Sequence, residues 1–392
     1  MNLEHYKGRE QTFVKHYFLE QYLETVGFHL GYNHRDFFYV DSFSGPWQAR
    51  GQALEDTSVH LALEKLNYVQ NGLAISGRRC NISAIFVEKD AKAFSELEQL
   101  VSRACRDVRV HPIHGSFEEN IPEILRLIGS SFALFFIDPK GWTGFGLNKI
   151  TPLLLHRPGE AIINFMYDYI NRFLANTDAP TETSFDLLFG TRDWRALRAS
   201  NDRDHEIVEF YCGRIRDAGR FEYITSTPVL KPQQDRVYYH LVYGTHNPTG
   251  IVEFRATERK SAAVQEHARS TAQRQAREIR TGQTELDWGQ CDTMSPIVER
   301  ERRRAVAVGQ ELVFRLLSQG ASDYEHLRGR VLEIPFYWES DLKKLLRSAR
   351  AAGAIEIDGL GPRERVPKPD CRIRLARRLA GSKTRQGAPD EP

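Results

Sequence analysis

Phe37-Phe38-Tyr39-Val40-Asp41-Ser42-Phe43-Ser44-Gly45-Pro46 is an apolar run that stops on an acid and turns at once on small residues, a glycine and a proline. A short apolar run bounded by turn signals suits a buried strand, and neither strand nor helix absorbs the segment that follows it. The same grammar recurs downstream. The run 82–87 ends on Glu88, 108–113 ends at His114-Gly115-Ser116, 133–137 ends on Asp138-Pro139, and 161–165 is a fifth apolar run. Helical patterns fit between them. Phe13, Tyr17, Phe18, Tyr22 and Val26 give one apolar face near 11–27, and Asp56, Thr57 and Ser58 offer N-cap oxygens for a helix through about residue 69. Further helices fit 90–104 and 117–129. Strands that are apolar throughout, alternating with helices, imply a parallel sheet covered on both faces. The polar punctuation falls at the strands' C-terminal ends, where open α/β sheets bind ligands.

Beyond the fifth strand the pattern turns polar, and 170–235 is expected to form a helical insertion. The runs 237–243 and 250–254 flank Thr245-His246-Asn247-Pro248-Thr249, a hairpin signal. The expectation is therefore an α/β, doubly wound, mostly parallel seven-stranded Rossmann-like sheet over residues 1–256, closed by an antiparallel hairpin as methyltransferase sheets are. A helical connector is expected over 257–295. Three helices near 296–319, 322–332 and 338–352, followed by strands at 354–358 and 372–375, suggest a winged-helix domain over 296–380. The last residues, 381–392, have the composition of a disordered tail.

Composition narrows the class. In 392 residues, 41% are hydrophobic, 27% charged and 22 are Phe, which suits a packed core rather than disorder. No run approaches the roughly 20 apolar residues a bilayer span needs, and the N-terminus lacks a secretion signal. Five scattered cysteines (80, 105, 212, 291 and 371) include no CxxC pair, so no metal site is expected and free thiols in the cytoplasm are. The net charge is +2, yet residues 343–392 hold 13 Lys/Arg against 6 Asp/Glu. A basic tail on a slightly acidic body suits a nucleic-acid backbone, or else a merely solvated surface. Lys343, Lys344, Arg347 and Arg350, spaced along the third C-terminal helix, are the candidate phosphate contacts.

The strand ends carry the candidate chemistry. A ligand with an amino-acid ammonium, a ribose and an adenine, such as S-adenosylmethionine, has separable needs. In the turn of Phe43, Ser44 and Gly45, the glycine lets backbone approach a ligand closely. Asp41 can accept from an ammonium, and Glu88 from the two hydroxyls of a ribose. Ser116 is a candidate adenine contact, and equally a helix cap. Asp138-Pro139-Lys140-Gly141-Trp142 is the reactive candidate. A carboxylate and the Pro139 carbonyl could accept from an exocyclic amino group and favour its pyramidal, nucleophilic form, and Trp142 could stack on a flat base. A turn carboxylate and a core tryptophan are the plainer readings. Asn164 and the run Tyr167-Asp168-Tyr169-Ile170-Asn171-Arg172 belong to the same edge, and His16 lies on the opening helix.

The order of these motifs resembles the three-Cys-motif partner protein (TcmP) family over roughly residues 10–260. The matching signs are Lys15-His16, the 39–46 segment, Ile137-Asp138-Pro139, Ile163-Asn164-Phe165-Met166-Tyr167-Asp168-Tyr169-Ile170-Asn171-Arg172-Phe173 and Tyr239-His240-Leu241-Val242-Tyr243-Gly244-Thr245. The resemblance implies a class I S-adenosylmethionine methyltransferase fold and a partner that is a radical-SAM-like protein bearing the three cysteines. Two positions depart from the pattern: Trp47 stands where a second glycine is usual, and Lys140 displaces the aromatic expected after Asp-Pro-Pro. The leading expectation is an S-adenosylmethionine-dependent N-methyltransferase acting on nucleic acid. The rivals are a non-catalytic accessory partner with the same fold and a nucleic-acid-binding regulator.

Overall fold

The strands assemble in the order β3-β2-β1-β4-β5-β7-β6, a single seven-stranded sheet in which β7 alone runs against its neighbours. The computed structural model describes residues 2–45, 57–104, 107–283, 294–361 and 367–376. The long helix α1 (Glu10–Asn33) precedes β1 (Asp36–Asp41), α2 (Ser58–Ile75), β2 (Asn81–Glu88) and α3 (Ala91–Ala104). Then follow β3 (Arg109–His114), α4 (Phe117–Ile128), β4 (Phe132–Ile137), α5 (Leu147–Leu154) and β5 (Gly159–Phe165). Every residue of β4 and β5 is buried, as strands covered on both faces require. The core lies on both sides of the sheet, one part under α1, α2 and α9 (Pro248–Thr281), the other under α4, α5 and α8 (Arg203–Gly219). Thr57 caps α2 by accepting the His60 N–H (3.2 Å), as its position before that helix predicts.

The sheet closes differently from the sequence expectation. The antiparallel partner of β7 (Val237–Thr245) is β6 (Tyr223–Leu230), which lies upstream and inside the span assigned to a helical insertion. The insertion's helices, α6 (Tyr167–Phe173), α7 (Ala179–Phe189) and α8, end at Gly219. Residues 250–254, expected as a strand, are the first turns of α9. Asn247 caps that helix by accepting the Thr249 N–H (2.9 Å) and Pro248 opens it, so Ile251 and Phe254 turn inward together.

α9, which covers part of the stretch expected as a connector, is packed into the fold. Its Arg255, Glu258, Ser261, Gln265 and Arg269 are all buried. Arg255 donates to Glu258 (2.5 Å), to the Ser226 carbonyl (3.0 Å) and to the Leu332 carbonyl (2.8 Å), and also contacts Thr225. Glu258 accepts from the Phe336 N–H (3.2 Å) and the Trp338 indole N–H (3.3 Å). This polar cluster fastens the outer edge of β6, whose residues are all buried, to the C-terminal segment, where Glu333 also accepts the Ile224 N–H (2.9 Å). A covered edge is not available for stray strand pairing.

The C-terminal segment holds α10 (Pro296–Gln319), α11 (Tyr324–Val331) and α12 (Glu339–Ala351), with a three-stranded sheet of β8 (Ser322–Asp323), β10 (Arg372–Leu375) and β9 (Ile355–Asp358) in that order. The tail 381–392 lies outside the described residues. Among those described, no helix is long and apolar enough to cross a membrane. Cys80 and Cys371 are buried free thiols and Cys212 a half-buried one.

Candidate functional site

β1, β4 and β5 lie side by side at the centre of the sheet, so their C-terminal ends bring Asp41, Asp138 and Asn164 to one edge. Asp41 is fully buried. One of its carboxylate oxygens accepts the Phe43 N–H (3.1 Å), the other the Ser58 hydroxyl (3.2 Å). Burial, and next the negative charge of Asp138, push its carboxyl up to about 7. Ser44 stitches the turn to β2: its hydroxyl donates to the Asp41 carbonyl (2.8 Å) and accepts the Val87 N–H (3.2 Å). Gly45 is buried beside it, and Phe43 packs on Phe117 with ring centroids 5.5 Å apart. Glu88, also buried, accepts the Asp90 N–H (2.6 Å), while the Gly115 N–H donates to its carbonyl (2.9 Å). Gly115 has φ +139°, which side chains rarely tolerate, and a Cβ there would sit 2.7 Å from Asn120 Nδ2.

Asp138 is gripped from two sides. Lys15, reaching from α1, forms an ion pair with one oxygen, and the Asn164 amide donates to the other (2.6 Å). The ammonium also lies over the Tyr239 ring, 5.9 Å from its centroid. Lys15 and Asp138 are 13% and 14% exposed, so this pair is shielded from solvent more than surface pairs are. Among the described residues, three buried polar atoms around these acids have no hydrogen-bond partner: the Asn164 Oδ1, the Ser42 hydroxyl and the Tyr39 hydroxyl. Such atoms are costly unless something meets them. The Tyr39 phenol is held neutral by burial and by both carboxylates. His16 is buried 3.0 Å from the Tyr6 hydroxyl; burial, with Lys15 and Arg9 nearby, holds its imidazole well below the usual range.

Two predicted contacts are engaged elsewhere. Ser116 caps α4, with its hydroxyl donating to Glu119 (2.6 Å) and accepting the Glu119 N–H (3.4 Å), the plainer of its two readings. Trp142 is a half-buried hub between α6 and α7. Its indole N–H donates to Ser184 (2.9 Å), and its ring meets Phe173 at 5.3 Å, Phe185 at 5.7 Å and Tyr169 at 6.3 Å. A side chain so engaged anchors the insertion rather than offering a free stacking face. Trp142→Ala is expected to cost about 2 kcal/mol of stability, less than a fully buried Trp because the ring is half-buried, and Trp142→Phe under half of that. Thermal unfolding followed by circular dichroism measures both. Pro139 is buried after β4, while Pro46 and Trp47 lie outside the described residues.

On α12, Lys344, Arg347 and Arg350 are exposed, while Lys343 pairs with Glu339 (3.1 Å). Lys343, Arg347 and Arg350 line one groove of about 480 Å³ with Leu346, Ile357 and Leu360. The sequence spacing thus finds a real cationic face. It misses the part played by Lys15, whose partner is 123 positions away, and by Ser58 and Tyr239. No local pattern encodes such contacts.

No family model matches the chain, and no curated protein matches it. Among solved structures, the chain is similar to a protein of Legionella pneumophila str. Philadelphia 1 described under the family-model name DUF519. Identity is 11%, the match covers 63% of this chain and 91% of that one, and the TM-score is 0.38. A likeness that faint fixes neither fold nor function.

Proposed function

We propose that this chain is an S-adenosylmethionine-dependent N-methyltransferase acting on nucleic acid, with a class I methyltransferase sheet and a C-terminal winged helix. The strand order 3-2-1-4-5-7-6 with β7 reversed supports the fold. Three helices with a small antiparallel sheet, and a cationic groove on α12, support the winged helix. The observation that carries the function is the convergence of Asp41, Asp138 and Asn164 on one strand-end edge beside buried polar atoms left without partners. The donor, when bound, supplies the electrophilic methyl group. Asp41 receives its ammonium and Glu88 its ribose hydroxyls. Asp138 and the unpartnered Asn164 Oδ1 accept from the amino group of the target base, orienting its nitrogen lone pair. Lys15 holds the Asp138 carboxylate in place. A radical-SAM-like three-Cys-motif partner follows from the family resemblance, and co-purification with such a protein tests it.

A second reading draws on two contacts. Both oxygens of Asp138 are already engaged, by Lys15 and Asn164, as in a purely structural carboxylate. On that reading the chain binds nucleic acid and a protein partner without turnover, and it stays distinct because the unaltered chain then transfers no methyl group to nucleic acid.

Calorimetric titration with S-adenosylmethionine tests the cofactor site. Glu88→Ala is expected to weaken binding at least about tenfold, the worth of hydrogen bonds to a charged group. The pH dependence follows from Asp41. Its folded-state carboxyl is raised from 3.8 to about 7, so the free protein gains stability from the protonated form, and loses that contribution as pH rises through this window. An ammonium ligand favours the ionised form. Binding therefore releases a proton below pH 7, and affinity climbs between about pH 6 and pH 8 before levelling. Titrations at pH 6.5 in phosphate and in Tris measure the released proton as a difference in heat. Identical heats in the two buffers contradict the assignment of Asp41.

A further inference from the structure

Beside the Asp138 edge lie two half-buried aromatic rings that the site does not use, joined to it by the buried Tyr239. Tyr169 and Tyr238 have centroids 6.3 Å apart, Tyr238 continues to Tyr239 at 5.6 Å, and Lys15 over Tyr239 joins the rings to Asp138. Cations frame these rings. Arg172 lies over Tyr169 at 5.5 Å and Lys231 over Tyr238 at 5.8 Å. Both also reach Asp168, at 2.9 Å each, and Arg236 approaches the same carboxylate at 3.4 Å.

That grouping is lopsided. One carboxylate, 2% exposed, faces three cations, of which Arg172 and Arg236 are 58% and 63% exposed. Asp168 needs one or two partners; a third leaves surplus positive charge beside the rings. Cations around partly exposed rings are the pattern that grips a phosphate backbone while bases stack between. A duplex does not suit it, because paired bases keep their faces inside the helix.

We infer that the face of Tyr169 and Tyr238, framed by Arg172, Lys231 and Arg236, binds a single-stranded stretch of nucleic acid and leads its target base to Asp138. The inference rests on the proposed action on nucleic acid. It assigns phosphate contacts to the two arginines and Lys231, and base stacking to the tyrosines. It also explains how a base reaches a strand-end acid without Trp142: an unpaired strand needs no separate stacking wedge. The α12 groove then holds flanking nucleic acid, not the reacting segment.

Fluorescence anisotropy with the full-length chain and a labelled single-stranded oligonucleotide of about 12 nucleotides, as DNA and as RNA, tests it. Arg172→Ala/Arg236→Ala changes two exposed side chains and should fold normally. It is expected to weaken binding at least tenfold near 50 mM salt and to flatten the logarithmic salt slope by about 1.4, two phosphates' worth for a single strand. Tyr238→Ala should cost about tenfold and Tyr238→Phe almost nothing, since stacking needs the ring and not the hydroxyl. Binding unchanged in these variants, tighter binding of a blunt duplex than of the single strand, or no binding by the unaltered chain would overturn the inference. Should Lys344→Ala/Arg347→Ala/Arg350→Ala alone abolish binding, this face is overturned while the nucleic-acid reading survives. A chain that binds the strand through Arg172 and Arg236 yet ignores S-adenosylmethionine keeps the face and removes the methyltransferase.

Discussion

Replacing Arg255 by alanine lowers the unfolding free energy by about 3–5 kcal/mol, the usual cost of leaving a buried charge unpartnered. The guanidinium is 2% exposed and Glu258 1%, so solvent cannot take over for either. More than the ion pair is lost. The Ser226 and Leu332 carbonyls lose their charged donor, and the buried Glu258 carboxyl, already raised by burial, loses the cation that opposes that rise. Phe336 stands at φ +60°, a conformation that costs about 1–2 kcal/mol for a side-chain-bearing residue. Glu258 accepting its N–H helps to hold it there. Urea denaturation gives the free energy, and hydrogen exchange at the Phe336 amide reports whether the C-terminal segment has come loose from β6. The double replacement Arg255→Met/Glu258→Leu should not restore full stability, because the carbonyls and N–H groups both side chains serve stay unsatisfied. A single-variant loss below about 1 kcal/mol would mean the cluster is solvated, against the burial described.

Asp138→Asn is expected to cut methyl transfer at least about 10²-fold while S-adenosylmethionine affinity stays within about threefold, as for loss of one positioned acceptor acting on the target. The same substitution moves the Asp41 carboxyl. The charge of Asp138 is one reason that carboxyl stands near 7, and Lys15 works against it. Asp138→Asn therefore shifts the pH at which cofactor affinity levels off downward, and Lys15→Met shifts it upward. Opposite shifts from two residues that share an ion pair are not what general loosening of the fold produces. Turnover is followed by transfer of labelled methyl to a mixed nucleic-acid substrate, and the shifts by titration across pH. Unchanged turnover in Asp138→Asn removes Asp138 from the chemistry, and no turnover by the unaltered chain favours the accessory reading.

The parallel strands were legible because each is an apolar run that halts on a polar residue. Asp41, Glu88 and Asp138 are the visible punctuation of buried segments. β6 was not legible. Its Thr225, Ser226, Thr227 and Pro228 make it polar and interrupt it with a proline, which an outer strand tolerates and a central one does not. Residues 250–254 are short, apolar and partly β-branched, a run that periodicity cannot assign, although Asn247-Pro248 ahead of it carried a helix-start signal. The charged look of 257–281 hid its packing for another reason: burial of Glu258 and Gln265 depends on partners from β6 and residues 336–338, distant in sequence. Likewise Asp138 is read from its strand, but its grip by Lys15 exists only once α1 has packed over the sheet.

The most direct measurement is a crystal structure with S-adenosylhomocysteine at saturating concentration. The ribose hydroxyls should lie on Glu88, the ammonium at Asp41, and the sulfur should face Asp138 and Asn164. A crevice at the ends of β1, β2 and β4 that stays free of ligand, or ligand bound away from all four residues, would contradict the proposed chemistry.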